Sequence, residues 1–114
     1  MSKTPDLSER LLEFTVNVIL YLRTVKTNDE TKDLKRQLTR SSASVGANYE
    51  EAQGYLSKPD SRLKIGIALK EIKESHYFLK IFHRLRLGNI IQCAGLVQES
   101  LELKLILNIL ISSR

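Results

Sequence analysis

The chain has no tryptophan, a single cysteine and two prolines among 114 residues. Each scarcity excludes something. Cys93 alone cannot close an intramolecular disulfide, so packing must hold the fold, and a reducing compartment is expected. No stretch alternates with period two, so strands are not expected. There is no glycine-rich phosphate loop and no zinc-ligand spacing. The longest greasy run, Leu101 to Ile111, is interrupted by Glu102, Lys104 and Asn108. It falls short of the roughly 20 apolar residues that span a bilayer. The segment MSKTPDLSERLLEF has no long apolar core and no small-residue cleavage site, so no signal peptide is expected. A cytoplasmic protein without a membrane partner is the expectation.

What is present points to one globular domain spanning residues 1–114. Apolar residues make up 42% and charged residues 27%, a balance that buries a core and is unlike a disordered tail. Apolar residues recur at helical spacing throughout, in four segments. The first is expected over about Asp6 to Val25, with Leu7, Leu11, Phe14, Val18, Leu22 and Val25 in one stripe. Pro5 suits its first turn, Thr4 or Asp6 its cap, and Glu9 closes a box with Asp6.

A second helix is expected over about Asp29 to Leu56, opened by a Thr27–Glu30 capping box. Its core stripe is Leu34, Leu38, Ser41, Val45, Asn48, Tyr49, Ala52 and Leu56. Ala43, Gly46, Ala47, Glu50 and Gly54 lie nearly opposite, small enough to admit another backbone. Ser57-Lys58-Pro59-Asp60 breaks the pattern, because proline suits a first turn and not a helix interior. The third helix then runs from about Pro59 to Leu87 and stops at Gly88-Asn89. The fourth runs from about Ile91 or Cys93 to Ser112. Four helices joined by short connections make an all-α, antiparallel up-down-up-down four-helix bundle.

The charge is concentrated. Between Lys58 and Arg86 lie eight basic and three acidic residues, so this segment carries the whole net charge of +5. At 100° per residue, Lys58, Arg62, Lys70, Lys73, Lys80 and Arg84 share one narrow sector of the third helix. One flank of the remaining circumference is Leu63, Ile67, Phe78, Ile81 and Leu85; the other is Ile65, Leu69, Ile72 and Leu79. The fourth helix is apolar around most of its circumference too. A lone bundle leaves part of this surface uncovered, and self-association buries it economically.

The basic sector is either a solvated face, with lysine stems covering apolar neighbours, or a ridge that contacts phosphates. Only Tyr77 lies close to it in angle, so binding of RNA or DNA there should be charge-led, salt-sensitive and weakly sequence-specific. Arg40, Ser41, Ser44, Asn48, Glu51, Glu71 and Glu74 interrupt apolar faces and are the candidates for an internal polar network. A di-iron site would need Glu-x-x-His, but Lys73 and Lys80 stand three positions before His76 and His83. No metal or other cofactor is expected. Cys93 lies near a helix start without an identifiable base, and no catalytic residues emerge, so a non-enzymatic protein is expected. A protein–protein scaffold is the alternative to nucleic-acid binding; a weaker third is an enzyme with an intersubunit site around Glu71, Glu74 and His76.

The stretch Arg40-Ser41-Ser42-Ala43-Ser44-Val45-Gly46-Ala47-Asn48-Tyr49-Glu50-Glu51-Ala52-Gln53-Gly54 is followed by Ser57-Lys58 and by Ile67-Ala68-Leu69-Lys70-Glu71-Ile72-Lys73-Glu74-Ser75-His76-Tyr77-Phe78-Leu79. Together these closely resemble the bacterial four helix bundle protein family, first noticed as reading frames in the intervening sequences of 23S ribosomal RNA. The resemblance implies a ring-shaped homopentamer of up-down bundles. A related branch, the accessory variability protein of diversity-generating retroelements, binds nucleic acid through a basic surface and partners a reverse transcriptase. The chain is closer to the main branch. The resemblance supplies no catalytic residues, and it implies that Ser44, Asn48, Glu51, Glu71 and Glu74 belong to a shared internal network.

Overall fold

The computed structural model of the chain describes residues 6–54 and 57–113. Four helices follow one another, α1 (Leu7–Leu22), α2 (Lys32–Ala52), α3 (Lys58–Arg84) and α4 (Ile90–Ser112), and there is no strand among the described residues. Each helix packs on its predecessor, and α4 closes the ring against α1. The α1–α2 and α3–α4 connections meet at one end of the bundle. There the Tyr21 hydroxyl donates to the Leu87 carbonyl at 2.7 Å, and the Asn89 N–H donates to Thr24 Oγ1 at 2.9 Å. This is the up-down-up-down bundle that the periodicity predicts.

The predicted stripes form much of the core, and Tyr21, Phe82, Leu103 and Leu107, which those stripes did not include, complete it. Leu11, Phe14, Val18 and Tyr21 of α1, Leu38 and Val45 of α2, Ile65, Ile72, Leu79 and Phe82 of α3, and Leu103 and Leu107 of α4 are at most 1% exposed. Each such side chain stabilises the fold by roughly 1.5–3 kcal/mol through area removed from water. Tyr21 and Phe82 meet edge to face, with ring centroids 6.0 Å apart, the geometry that the ring quadrupoles favour.

The helix starts follow capping chemistry, with one correction. Asp6 Oδ1 accepts from the Glu9 N–H at 2.8 Å, Ser57 Oγ from Asp60 at 3.2 Å, and Asn89 Oδ1 from Gln92 at 2.9 Å. Such caps satisfy otherwise orphaned N–H groups. Thr4 and Pro5, the alternative cap and its companion, lie outside the described residues. The Thr27–Glu30 box does not form, and α2 begins three residues later than expected. Asn28 Oδ1 takes the N–H groups of Glu30 and Thr31 instead, while the Thr31 hydroxyl accepts from Asn28 and donates to the Lys26 carbonyl. Asparagine turns the chain on itself, so the turn outcompetes an earlier helix start.

The α2 helix also ends earlier, at Ala52, and Leu56 of its predicted stripe is outside the described residues. Close approach does not account for its glycines. A Cβ on Gly46 would lie 3.6 Å from Leu11 Cβ, an ordinary contact, and one on Gly54 would meet only the carbonyl of Glu51.

Candidate nucleic-acid interface

The α3 helix runs 27 residues without an interior break, because Pro59 falls in its first turn and Ser57 caps it. Its outward edge from Lys58 to Arg84 is therefore a straight row about 40 Å long, at roughly 1.5 Å per residue. All six predicted members, Lys58, Arg62, Lys70, Lys73, Lys80 and Arg84, are exposed, and Tyr77 stands among them at 62% exposure.

None of the six forms a salt bridge among the described residues. The contrast with α2 is informative. There Lys32 pairs with Asp29, Arg36 with Asp33 and Arg40 with Glu71 and Glu74, while Lys35 donates to the Val25 carbonyl and to Thr27. On α3 only Lys64 is compensated, by Glu51 at 2.9 Å. Cations on α2 are engaged within the protomer, and the α3 row is left to solvent.

The seam between α3 and α4 extends the row. His76 is buried on the α4 side of α3, and its Nδ1 lies 2.8 Å from Ser100 Oγ. The Ser100 hydroxyl also lies 2.9 Å from the Val97 carbonyl, so the pair ties the α3 ring to the first half of α4. Lys80 follows His76 by one turn on α3, and Lys104 follows Ser100 by one turn on α4. Burial, then Lys104, then Lys80 push the His76 pKa below the ordinary histidine value. Lys104 was not visible as part of the basic feature, because its place beside α3 depends on the pairing of helices 24 residues apart in this contact.

The candidate network residues do not form one network. Arg40 Nη1 donates to Glu71 Oε2 at 2.8 Å and Nη2 to Glu74 Oε1 at 2.9 Å, joining α2 to α3. Ser41 and Ser75 share a hydrogen bond of 2.8 Å in the core, and Asn48 donates to the carbonyl and hydroxyl of Ser44 within α2. Glu51 is on the outside with Lys64. Helix–helix contact divides the residues into separate pairs, each satisfied locally. Glu71 and Glu74 turn toward α2, whereas His76 turns toward α4, so the three do not converge within the protomer. Among the described residues, no three His, Cys, Asp or Glu side chains are grouped as metal ligands.

Two features had weaker signals in the sequence. Arg10 of α1 bridges to Glu99 and Glu102 of α4 at 2.7 and 3.0 Å, beside an open α1–α4 groove of about 520 Å³ floored by Phe14 and Leu96. Leu12, Val16, Ile19 and Leu20 form an exposed apolar outer face on α1. Its signal was the double occupancy of α1 by apolar residues, as in Leu11-Leu12 and Val18 to Leu22. On α3, Leu63 is exposed, as is Leu85 at its C-cap, and Ile67, Phe78 and Ile81 are half-buried; on α4, Ile91 and Ile109 are 85% and 70% exposed. The surplus apolar surface expected of α3 and α4 is therefore present, and α1 adds to it. Cys93 is buried with its thiol against the Leu79 carbonyl, and burial raises its pKa, so the helix start does not activate it.

The state of His76 carries a consequence for stability. Above the ordinary histidine pKa both folded and unfolded chains hold a neutral ring. As pH falls below that value, near 6.5, the unfolded chain protonates first because the folded ring is depressed. Stability should therefore be complete above about pH 6.5 and decline toward pH 5. Urea unfolding followed across this range should show a decline that His76→Gln reduces; an unchanged slope in that variant would assign the decline elsewhere.

The fold and its exposed edge define a small all-α bundle with a basic side. The family model for the 23S rRNA-intervening sequence protein matches residues 6–109, and the chain belongs to that family. It is also similar to a crystal structure, at 1.70 Å, of a protein of unknown function from the S23 ribosomal protein family of Bacteroides thetaiotaomicron. The two are 29% identical with a TM-score of 0.81, and the match covers 91% of this chain and 96% of that one. No curated protein matches the chain. No helix among the described residues is long and apolar enough to cross a membrane.

Proposed function

We propose that this protein is a non-enzymatic, self-associating accessory factor that binds RNA or DNA through the basic edge of α3. The observation that carries this reading is the row of six exposed cations without carboxylate partners, on a bundle whose α2 cations are all engaged. An uncompensated row 40 Å long releases counterions when phosphates line it, so affinity is predominantly electrostatic. Tyr77 offers one stacking surface within the row, which suits single strands without specifying sequence.

Self-association is supported by the exposed apolar face of α1 and by Leu105 and Ile109 of α4. The α1 face lies across the bundle from the basic edge, so covering it leaves the cations free. The subunit number expected from the family resemblance is five.

The test is binding of a structured RNA and of single-stranded DNA at about 50 mM salt, with mass measured by light scattering alongside. Affinity should fall steeply as salt rises, and Arg62, Lys73, Lys80 and Arg84 changed together to glutamate should weaken it more than tenfold. Absence of binding to both nucleic acids at low salt would exclude the reading. Recovery of one protein stoichiometrically after nuclease treatment would favour the scaffold alternative.

A further inference from the structure

The helices of the α3–α4 seam are antiparallel, and the hydrogen bond between His76 and Ser100 brings those two residues to one level. One turn onward along α3 stands Lys80; one turn onward along α4, in the opposite direction, stands Lys104. The two ammonium groups therefore flank the buried ring on opposite sides, with their backbone positions about 12 Å apart along the seam. No salt bridge among the described residues compensates either lysine.

The charged surroundings of the ring are one-sided. From α3 it has Lys80, with Lys73 one turn before it, and from α4 it has Lys104. Of the carboxylates of these two helices, Asp60 stands in the first turn of α3, about 24 Å along the axis from the ring; the others are engaged elsewhere, Glu71 and Glu74 by Arg40 of α2, Glu99 and Glu102 by Arg10 of α1. Among the described residues, the charged groups that act on the ring are Lys104 and Lys80.

Resting on the nucleic-acid reading above, we propose that backbone phosphates enter the α3–α4 seam between Lys80 and Lys104, and that His76 takes up a proton when they do. The free protein disfavours an imidazolium because the ring is buried and faces two cations. Phosphate anions at those lysines reverse the local field and favour the charged ring. The added proton comes from solvent and goes to the ring nitrogen that is unprotonated in the free protein. The ring acts through the field and touches no phosphate. By linkage, a ligand that draws a proton onto the protein binds more tightly as pH falls. Lys104 thereby joins the contact surface from a helix that carries none of the basic row.

The experiment uses the full chain and a 20-nucleotide polyuridylate, whose bases do not titrate between pH 6 and 8. Calorimetry in two buffers of different ionisation enthalpy measures proton uptake, and the His76 ring is followed by NMR with and without the oligonucleotide. The expected result is fractional proton uptake near neutral pH and binding on the order of threefold tighter at pH 6 than at pH 8. The His76 titration should move upward in the complex. His76→Gln should bind with little uptake, whereas His83→Asn should keep it. Lys104→Gln should lower affinity and reduce the salt slope by about one. Salt-sensitive binding without proton uptake, or uptake that survives His76→Gln and disappears in His83→Asn, overturns this inference and leaves the nucleic-acid reading standing. No binding at either pH removes both. If His76→Gln fails to fold, an unmoved ring titration in the wild-type complex is the result that overturns the proposal.

Discussion

Alanine in place of Gly88 should destabilise the protein by about 2–4 kcal/mol, adding the left-handed backbone penalty to local overpacking. Gly88 has φ +65°, where a Cβ is disfavoured. An added Cβ would also lie 2.6 Å from Thr24 Oγ1 and 2.7 Å from Val25 Cγ2. Neither neighbour can yield freely. Thr24 Oγ1 accepts from the Asn89 N–H and donates to the Tyr21 carbonyl, and Val25 is 3% exposed. The substitution therefore strains one loop and pushes it off the other, at the end where α1–α2 and α3–α4 meet. Arg86, also left-handed at φ 56°, already carries a Cβ, and glycine adopts this conformation without the steric penalty, so Arg86→Gly should be neutral or slightly stabilising. Chemical denaturation of both variants checks the pair. A cost below about 1 kcal/mol for Gly88→Ala would mean that the loops separate without loss.

Removing the guanidinium of Arg40 is the second large effect. Glu71 has a side chain only 6% exposed, and its Oε2 accepts from Arg40. Arg40→Met leaves this carboxylate on the α2–α3 contact without its cation, a desolvated charge without compensation. Because Arg40 is itself 46% exposed, solvent screening puts the cost nearer 2 kcal/mol than the value for a fully buried pair. Glu74 at 30% exposure loses less. The double variant Arg40→Met with Glu71→Gln should recover part of the loss, since it buries no charge. Equal stability of the single and double variants would show that Glu71 rehydrates freely. Nucleic-acid affinity should change little in these variants, because Arg40 belongs to α2 and lies off the basic row of α3.

These two sites separate local from non-local information. The Gly88-Asn89 signal placed the end of α3 near Leu87, but the helix ends at Arg84, where left-handed Arg86 lets the Leu87 N–H turn back to the Phe82 carbonyl. The Asp6 cap and the break at Ser57-Lys58-Pro59-Asp60 depend on residues within a turn of one another. They were legible for that reason. The Thr27–Glu30 box was plausible by the same rule and failed because Asn28, between them, offered the backbone a tighter turn. The core stripes were legible from spacing alone, since a helix places every third or fourth side chain on one face. So was the six-residue basic sector, because all of its members belong to one continuous helix.

Contacts between helices were not legible in this way. The polar residues of α2 and α3 were expected to form one network, yet packing assigns Glu71 and Glu74 to Arg40, Ser41 to Ser75 and Glu51 to Lys64. Arg10 reaches two glutamates about ninety residues away, and no local rule selects them over nearer carboxylates.

By itself, then, the sequence determined the number of helices, most of the faces they bury, three of their four starts and the row of cations along α3, all consequences of local backbone geometry and period. Only the tertiary structure decided that Gly88 presses against Thr24, that α1 turns an apolar face outward, and that Lys104 and His76 join the basic edge. The physical reason is that side chains on different helices become neighbours through the rotation and axial register of those helices. The close packing of the whole core sets both.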